Sequence, residues 1–218
     1  MATAALAPRS TPPAVLGAAR VARGLLAVYD TAALVVCVQR GFKVPGFTVA
    51  NFFSYFTVLS NVLAVLVLLV GAVATPRSAQ WQVVRCSVTI YIVITGIIYA
   101  LLLSRADVGV DNDWTNDALH RVIPLVLLVD WVVFPAARAI GNRTAMVALV
   151  FPLLYGVYTL IRGPIVDWYP YPFIDPRQTG YLSMSLGLVV IVVGFVMIAL
   201  AVNQLGRLGT RWRHGGSD

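Results

Sequence analysis

Two side chains in this sequence have the right chemistry for acyl transfer, Thr57 and His120. Threonine offers a hydroxyl that becomes a nucleophile only when a nearby base takes its proton, and imidazole is the side chain best suited to do so near neutral pH. Thr57 lies in Asn51-Phe-Phe-Ser-Tyr-Phe-Thr-Val-Leu-Ser-Asn61, where Asn51, Ser54, Thr57 and Asn61 recur at steps of three, three and four. That spacing predicts one polar face on an otherwise apolar helix. His120 follows Trp114-Thr-Asn-Asp-Ala-Leu at the head of another apolar run, with Asp113, Asp117 and Pro124 on its face if the helix begins early enough. Each feature also has a structural reading. Ser, Thr and Asn commonly bond across membrane helices, Asp113 or Asn116 serves as a helix cap, and a buried imidazole can join two helices.

The elements that hold these residues are apolar. Of 218 residues, 59% are hydrophobic and 11% charged, and the mean hydropathy is +0.83. Soluble domains carry about 25% charged residues, so a wetted surface is excluded. About 20 apolar residues cross a bilayer as a helix, and six segments come near that length: 15–38, 52–74, 83–103, 118–137, 145–161 and 182–202. The expectation is an all-α, polytopic membrane protein, a single bundle of six transmembrane helices in one domain. The two cysteines, Cys37 and Cys86, form no disulfide framework, and the net charge of +7 reads as cytoplasmic arginines and not as a nucleic-acid surface.

Orientation follows those arginines. Arg20, Arg23, Arg77, Arg85, Arg143 and the Arg-rich C-terminal tail fall on one side, as do Arg9 and Arg138. Arg40, Lys43, Arg105, Arg121, Arg162 and Arg177 fall on the other, diluted by aspartates. The bias predicts that both termini are cytoplasmic. Thr57 and His120 then lie at matched depth, each roughly 5–10 Å below the outer end of its helix at about 1.5 Å of rise per residue. A nucleophile and base at one depth can form a pair, or an ordinary hydrogen bond.

Further polar positions mark candidate cavity walls. Tyr91, Thr95 and Tyr99 repeat every four residues on the third segment, and Tyr155, Tyr158, Thr159 and Arg162 line one side of the fifth. Arg121 and Arg162 suit an anionic head group, since a guanidinium fork matches a carboxylate; snorkelling to the interface is the alternative. Asn61 lies one turn below Thr57 and has an amide to offer an oxyanion. Asp30 and Asp130 fall near mid-membrane, where a carboxylate must be protonated, paired or hydrated; Arg85, Arg20 and Arg23 are the partners at hand for Asp130. The aromatic and proline-rich loop 167–175 reads as a rigid lid or an interface belt. There is no Gly-x-Ser-x-Gly elbow, phosphate-binding glycine loop or Cys/His cluster of zinc spacing, so neither a metal nor another cofactor is expected.

The stretches Phe52-Phe-Ser-Tyr-Phe-Thr-Val-Leu-Ser-Asn61, Leu119-His-Arg-Val-Ile-Pro124 and Tyr171-Pro-Phe-Ile-Asp-Pro176 resemble the androgen-induced-gene family of six-span membrane hydrolases, and its bacterial relatives in particular. Characterised animal members cleave fatty acid esters of hydroxy fatty acids with one threonine and one histidine. The resemblance implies Thr57 as nucleophile and His120 as base; Asn61, Tyr99, Arg121, Tyr158 and Arg162 are expected about the substrate from their types and positions. It implies a membrane lipid ester as partner and a bacterial plasma membrane as location. The competing class is a non-enzymatic lipid-binding or proton-coupled transport protein, in which Thr57 and His120 join helices while Asp30 and Asp130 handle protons.

The orientation is directly testable. A reporter fused after Asp218 should be active only inside the cell, and a cysteine placed at Asn112 should react with impermeant reagents from outside. The opposite pattern would break the matched depth of Thr57 and His120.

Overall fold

The computed structural model describes residues 11–103, 113–136 and 139–214. Arg9, Arg105, Asp107, Asp111, Arg138 and the end of the expected fourth segment lie outside them. Every regular element among the described residues is helical. Helix α1 covers Pro13–Gly41, beginning on a proline whose fixed φ suits the first turn. A short α2, Val49–Phe52, is capped by the Thr48 hydroxyl accepting from Asn51 N–H. Helix α3 is Phe56–Val73, and α4 is Ala79–Ile98, capped by Ser78 and continued by a π turn, Tyr99–Leu103. Beyond the outer loop, α5 (Trp114–Asp117), a second π turn (Ala118–Val122) and α6 (Ile123–Val133) follow without interruption. Then come α7 (Asn142–Ala145), a 3-10 turn and α8 (Val150–Val166), and finally α9 (Pro176–His214), broken at Gly180 by φ +76°.

Five helical segments are long and apolar enough to cross a membrane: Pro13–Gly41, Phe56–Val73, Ala79–Leu102, Asn142–Val166 and Gly180–Trp212. The first, fourth and fifth extend beyond the segments expected from hydropathy. The expected fourth segment is divided by its π turn into pieces too short to count individually.

Helix α4 is the hub, packed on α3, α6 and α9. Its Ile90, Ile92 and Ile94 are fully enclosed, as is Leu68 of α3 and Ile123 of α6. Asn142–Val166 and Gly180–Trp212 remain largely exposed along their apolar length, as expected of surfaces that face lipid.

Around Asp130, polar side chains pin this bundle. Asp130 Oδ1 accepts from Arg23 Nε at 2.8 Å and pairs with its NH2 at 2.7 Å, while Oδ2 accepts from Arg85 NH2 at 3.0 Å. Arg23 lies over the Phe134 ring and Arg85 over Trp131, whose indole donates to the Val202 carbonyl at 3.1 Å. Arg85 also reaches the Phe134 carbonyl and the Gln82 amide oxygen. The paired outcome expected for Asp130 holds for Arg23 and Arg85. Arg20 instead donates to the carbonyls of Ala72 and Val73, closing the inner end of α3. Asp30 differs: it is fully buried, and neither carboxylate oxygen has a hydrogen-bond partner among the described residues.

Asp130→Asn leaves two largely buried guanidiniums without their shared anion, and breaking such a pair costs about 3–5 kcal/mol. The variant should melt clearly earlier in detergent, and Arg85→Met combined with Asp130→Leu should recover part of the loss. Unchanged melting of Asp130→Asn would remove the triad from its pinning role.

Candidate functional site

The polar face expected over residues 51–61 is divided in the structure. Helix α2 stops at Phe52, residues 53–55 turn, and α3 starts at Phe56, so Asn51 and Ser54 do not share a helix with Thr57 and Asn61. The physical reason lies on α8. Tyr155 donates its phenol proton to the Ser54 carbonyl at 2.9 Å, and the Ser54 hydroxyl meets Tyr158 Oη at 2.9 Å. Arg162 NH2 donates to Asn51 Oδ1 at 2.6 Å. The first of these contacts satisfies a carbonyl that an uninterrupted helix would have bonded internally, and the other two hold the turn against α8. Asn51 and Ser54 therefore belong to the α8 seam, and Thr57 starts the first turn of α3.

His120 sits in the second π turn, against the first. A π turn inserts a residue into the helical register, and such bulges recur at functional sites. Asp113 caps α5, its Oδ1 accepting from Thr115 N–H at 3.0 Å and Asn116 N–H at 3.2 Å, while Arg40 pairs with its other oxygen. The cap fixes where the helix begins, and the next turn brings His120 Nδ1 to 3.1 Å from the Asn116 carbonyl. A carbonyl only accepts, so Nδ1 carries the proton and Nε2 keeps its lone pair. The His120 ring stacks on Tyr99 with centroids 4.2 Å apart, and Asn116 Nδ2 donates to Tyr99 Oη at 2.5 Å. Gly96 permits this approach: a Cβ there would lie 3.0 Å from the His120 carbonyl oxygen.

A cavity of about 300 Å³ lies between α3 and α4 on one side and α8 and α9 on the other. Its wall is almost wholly apolar, including Phe56, Ile98, Leu149, Leu160, Ile191 and Phe195, with Thr57, Thr95, Tyr155, Thr159 and Tyr171 as hydroxyl-bearing members. Tyr171 comes from the loop after α8. Its phenol accepts from Thr57 N–H at 3.3 Å and lies 3.5 Å from Thr57 Oγ1. The loop covers this end of the cavity: Tyr171 stacks on Phe173, Tyr55 packs edge-on against both Trp168 and Tyr171, and Ile174 is buried.

The residues singled out from sequence divide between these places. Thr57 lines the cavity; His120 does not, and no hydrogen bond joins the two among the described residues. Asn61 links their surroundings, since its Nδ2 donates to the Thr57 carbonyl at 2.8 Å and the Leu119 carbonyl at 3.4 Å. That amide is thereby occupied, and Asn61 Oδ1 is buried without a partner among the described residues. Tyr99 supports His120, away from the cavity wall. Arg121 pairs with Asp117 and lies 5.9 Å from the Tyr99 ring centroid. Tyr158 and Arg162 line a narrow crevice with Ser54 and Trp168. Tyr91 is packed in the core against Phe56 and Phe151. Sequence reasoning singled out neither Tyr171 nor Asn116 as a partner of Thr57 or His120. The Tyr-Pro-Phe-Ile-Asp-Pro run was the available signal for Tyr171.

Compared with known families, curated proteins and solved structures, this chain matches none.

The loop is held by Arg177, which clamps Asp167 and bonds both oxygens of Asp175, at 2.9 and 2.8 Å. These bonds from Arg177 hold the Asp175 carboxyl below its ordinary range. A depressed carboxylate stabilises the fold above its unfolded pKa of about 3.9 and loses that contribution as pH falls through the folded value. Amide protection over 167–175, taken relative to the intrinsic exchange rate at each pH, should therefore fall on acidification below that range, and Asp175→Asn should be less protected already at neutral pH. Exchange insensitive to both changes would show that the clamp does not hold the loop.

Proposed function

We propose that the protein is an intramembrane hydrolase of lipid esters, of the type that cleaves fatty acid esters of hydroxy fatty acids. The observation that carries the proposal is the position of Thr57, a hydroxyl at the wall of a 300 Å³ apolar cavity beside the Tyr171 phenol. Ligand pockets run from about 300 to 1,000 Å³ and are mostly apolar with few polar groups, so this one suits an acyl chain. The resemblance of residues 52–61, 119–124 and 171–176 to the androgen-induced-gene family points to the same chemistry.

In this reading Thr57 Oγ1 attacks the ester carbonyl and passes its proton to Nε2 of His120, held as acceptor by the Nδ1–H bond to Asn116. The tetrahedral oxyanion collapses, the alcohol leaves with that proton, and an acyl-threonine remains. Water then attacks, His120 takes its proton and returns it to Thr57 Oγ1 as the acyl–oxygen bond breaks, and the acid is released. Tyr171 is better placed than Asn61 to donate to the oxyanion, because the Asn61 amide is held by backbone carbonyls. Approach of His120 to Thr57 is a motion required on substrate binding. The run from Trp114 to Val133 serves as a sixth span, both termini are cytoplasmic, and the membrane is the bacterial plasma membrane.

One observation favours the second reading, a proton-coupled transporter or lipid carrier. Asp30 is a fully buried carboxylate without a partner among the described residues, as proton-handling groups in membranes often are.

The two readings separate on four purified variants of matched melting behaviour, assayed on long-chain esters. Thr57→Ala should abolish hydrolysis, Thr57→Ser should retain it, and His120→Ala should lose it. The double Ala variant should be little worse than the worse single one, since a catalytic unit is non-additive. If the residues only join helices, stability shifts of about 0.6 kcal/mol per hydrogen bond are the main effect. Normal turnover by Thr57→Ala would end the nucleophile assignment.

A further inference from the structure

We propose that the Arg162 crevice is a binding site for the oxyanion of a single-chain lipid, carboxylate or phosphate, whose tail occupies the apolar cavity. Arg162 is half-buried near the outer end of α8, one turn beyond Thr159. It bonds Asn51 Oδ1 at 2.6 Å and lies 5.5 Å from the Trp168 ring centroid, and it has no carboxylate partner among the described residues. Of the other cations on the same side, Arg40 pairs with Asp113, Arg121 with Asp117, and Arg177 with Asp167 and Asp175; Lys43, also without a carboxylate partner among the described residues, does not line the crevice. Asn51 and the Trp168 face fix the guanidinium plane without neutralising it. A guanidinium fork has the geometry to hold a carboxylate or phosphate.

The crevice and the cavity share a wall. Thr159 lines both, and Ser54 and Tyr158 line the crevice beside it. A head group on Arg162 therefore has an apolar chamber next to it, and that chamber is at the small end of ligand pockets, which suits one chain better than two. Trp168 and Tyr171 come from the same loop, one on the crevice and one on the cavity, so a bound amphiphile would be covered at head and tail by one segment. The site does not depend on Thr57 turning over a substrate, and it serves a carrier as well as a hydrolase.

The test reads binding, not turnover, in nanodiscs of zwitterionic lipid under alkaline conditions that keep a fatty acid ionised. The probes are oleate, oleoyl lysophosphatidic acid and uncharged monoolein, which share one chain. The wild type should bind at least one anionic probe about tenfold or more tightly than monoolein, and the tighter of the two identifies the head group. Arg162→Gln should erase that preference while leaving monoolein binding unchanged, Arg162→Lys should restore part of it, and Lys43→Gln should leave it intact. The readout is binding and needs no turnover, so a failed nucleophile assignment and a failed anion site give different results. Equal wild-type binding of all three probes, no binding of either anion, or an undiminished preference in Arg162→Gln would overturn the proposal. The wild-type comparison decides the matter even if Arg162→Gln does not fold.

Discussion

The carboxylate of Asp130 lies between the guanidiniums of Arg23 and Arg85, and through these side chains α1, α4 and α6 are joined. The Gly71 carbonyl, 3.4 Å from Arg23 NH1, adds α3, and the Trp131 indole adds α9. In water such a pairing would contribute little. Within a bilayer, lipid tails compete for apolar surface as well as any helix does, so association depends on packing and on polar contacts. One carboxylate against two guanidiniums leaves a positive excess, which the Phe134 carbonyl and the faces of Phe134 and Trp131 partly offset. The half of the bundle around Asp130 is fixed by this cluster, and the half around Thr57 is free to be built differently.

The half around Thr57 is indeed more open. Helix α8 meets α2 and α3 through hydroxyl, guanidinium and aromatic contacts, and behind them lies the cavity. Tyr155 illustrates the arrangement: its ring packs on Phe56 while its hydroxyl takes the carbonyl of the Ser54 turn. The break between α2 and α3 is thus the same feature that gives α8 something to hold. Because the chain turns before Phe56, the first free N–H groups of α3 point towards the cap region, and one of them, on Thr57, finds the Tyr171 phenol. Loop, helix start and cavity wall meet there.

How far the sequence reveals this depends on the range of the interaction. The all-helical fold and its long apolar helices are legible because burial in lipid demands apolar runs, and the Asp113 cap is legible because capping is local. Pairing of Asp130 with arginine could be anticipated from energy alone, but selecting Arg23 and Arg85 over Arg20 required the packing of α1. The division at residues 53–55 was not legible: a three, three, four spacing is satisfied by one helix, and only the tyrosines of α8, about a hundred residues away, tip the backbone into a turn. The π turns were hidden for a similar reason, since an added residue per turn leaves hydropathy unchanged while rotating His120 relative to Pro124. The depth expected for Thr57 and His120 does not fix azimuth, and among the described residues Thr57 lines the cavity while His120 stacks on Tyr99 outside it.

That separation bears on how the two residues can cooperate. His120 is held by Tyr99 stacking, by the Asn116 carbonyl and by the close pass of Gly96, features of the first π turn, α5 and α4. Thr57 is held by Tyr171 and by its place at the start of α3. Asn61 bonds backbone on both sides, so the two compartments are tied at a peptide carbonyl, not at the reactive atoms. The loop bearing Tyr171 rests on aromatic contacts and the Arg177 clamp, whereas His120 is enclosed by helices. Withdrawal of the Tyr171 phenol would release Thr57 Oγ1 from its present neighbour and open the chamber behind it. A substrate that displaces Tyr171 would thereby uncover the hydroxyl and enter the cavity in the same step, which couples binding to exposure of the proposed nucleophile.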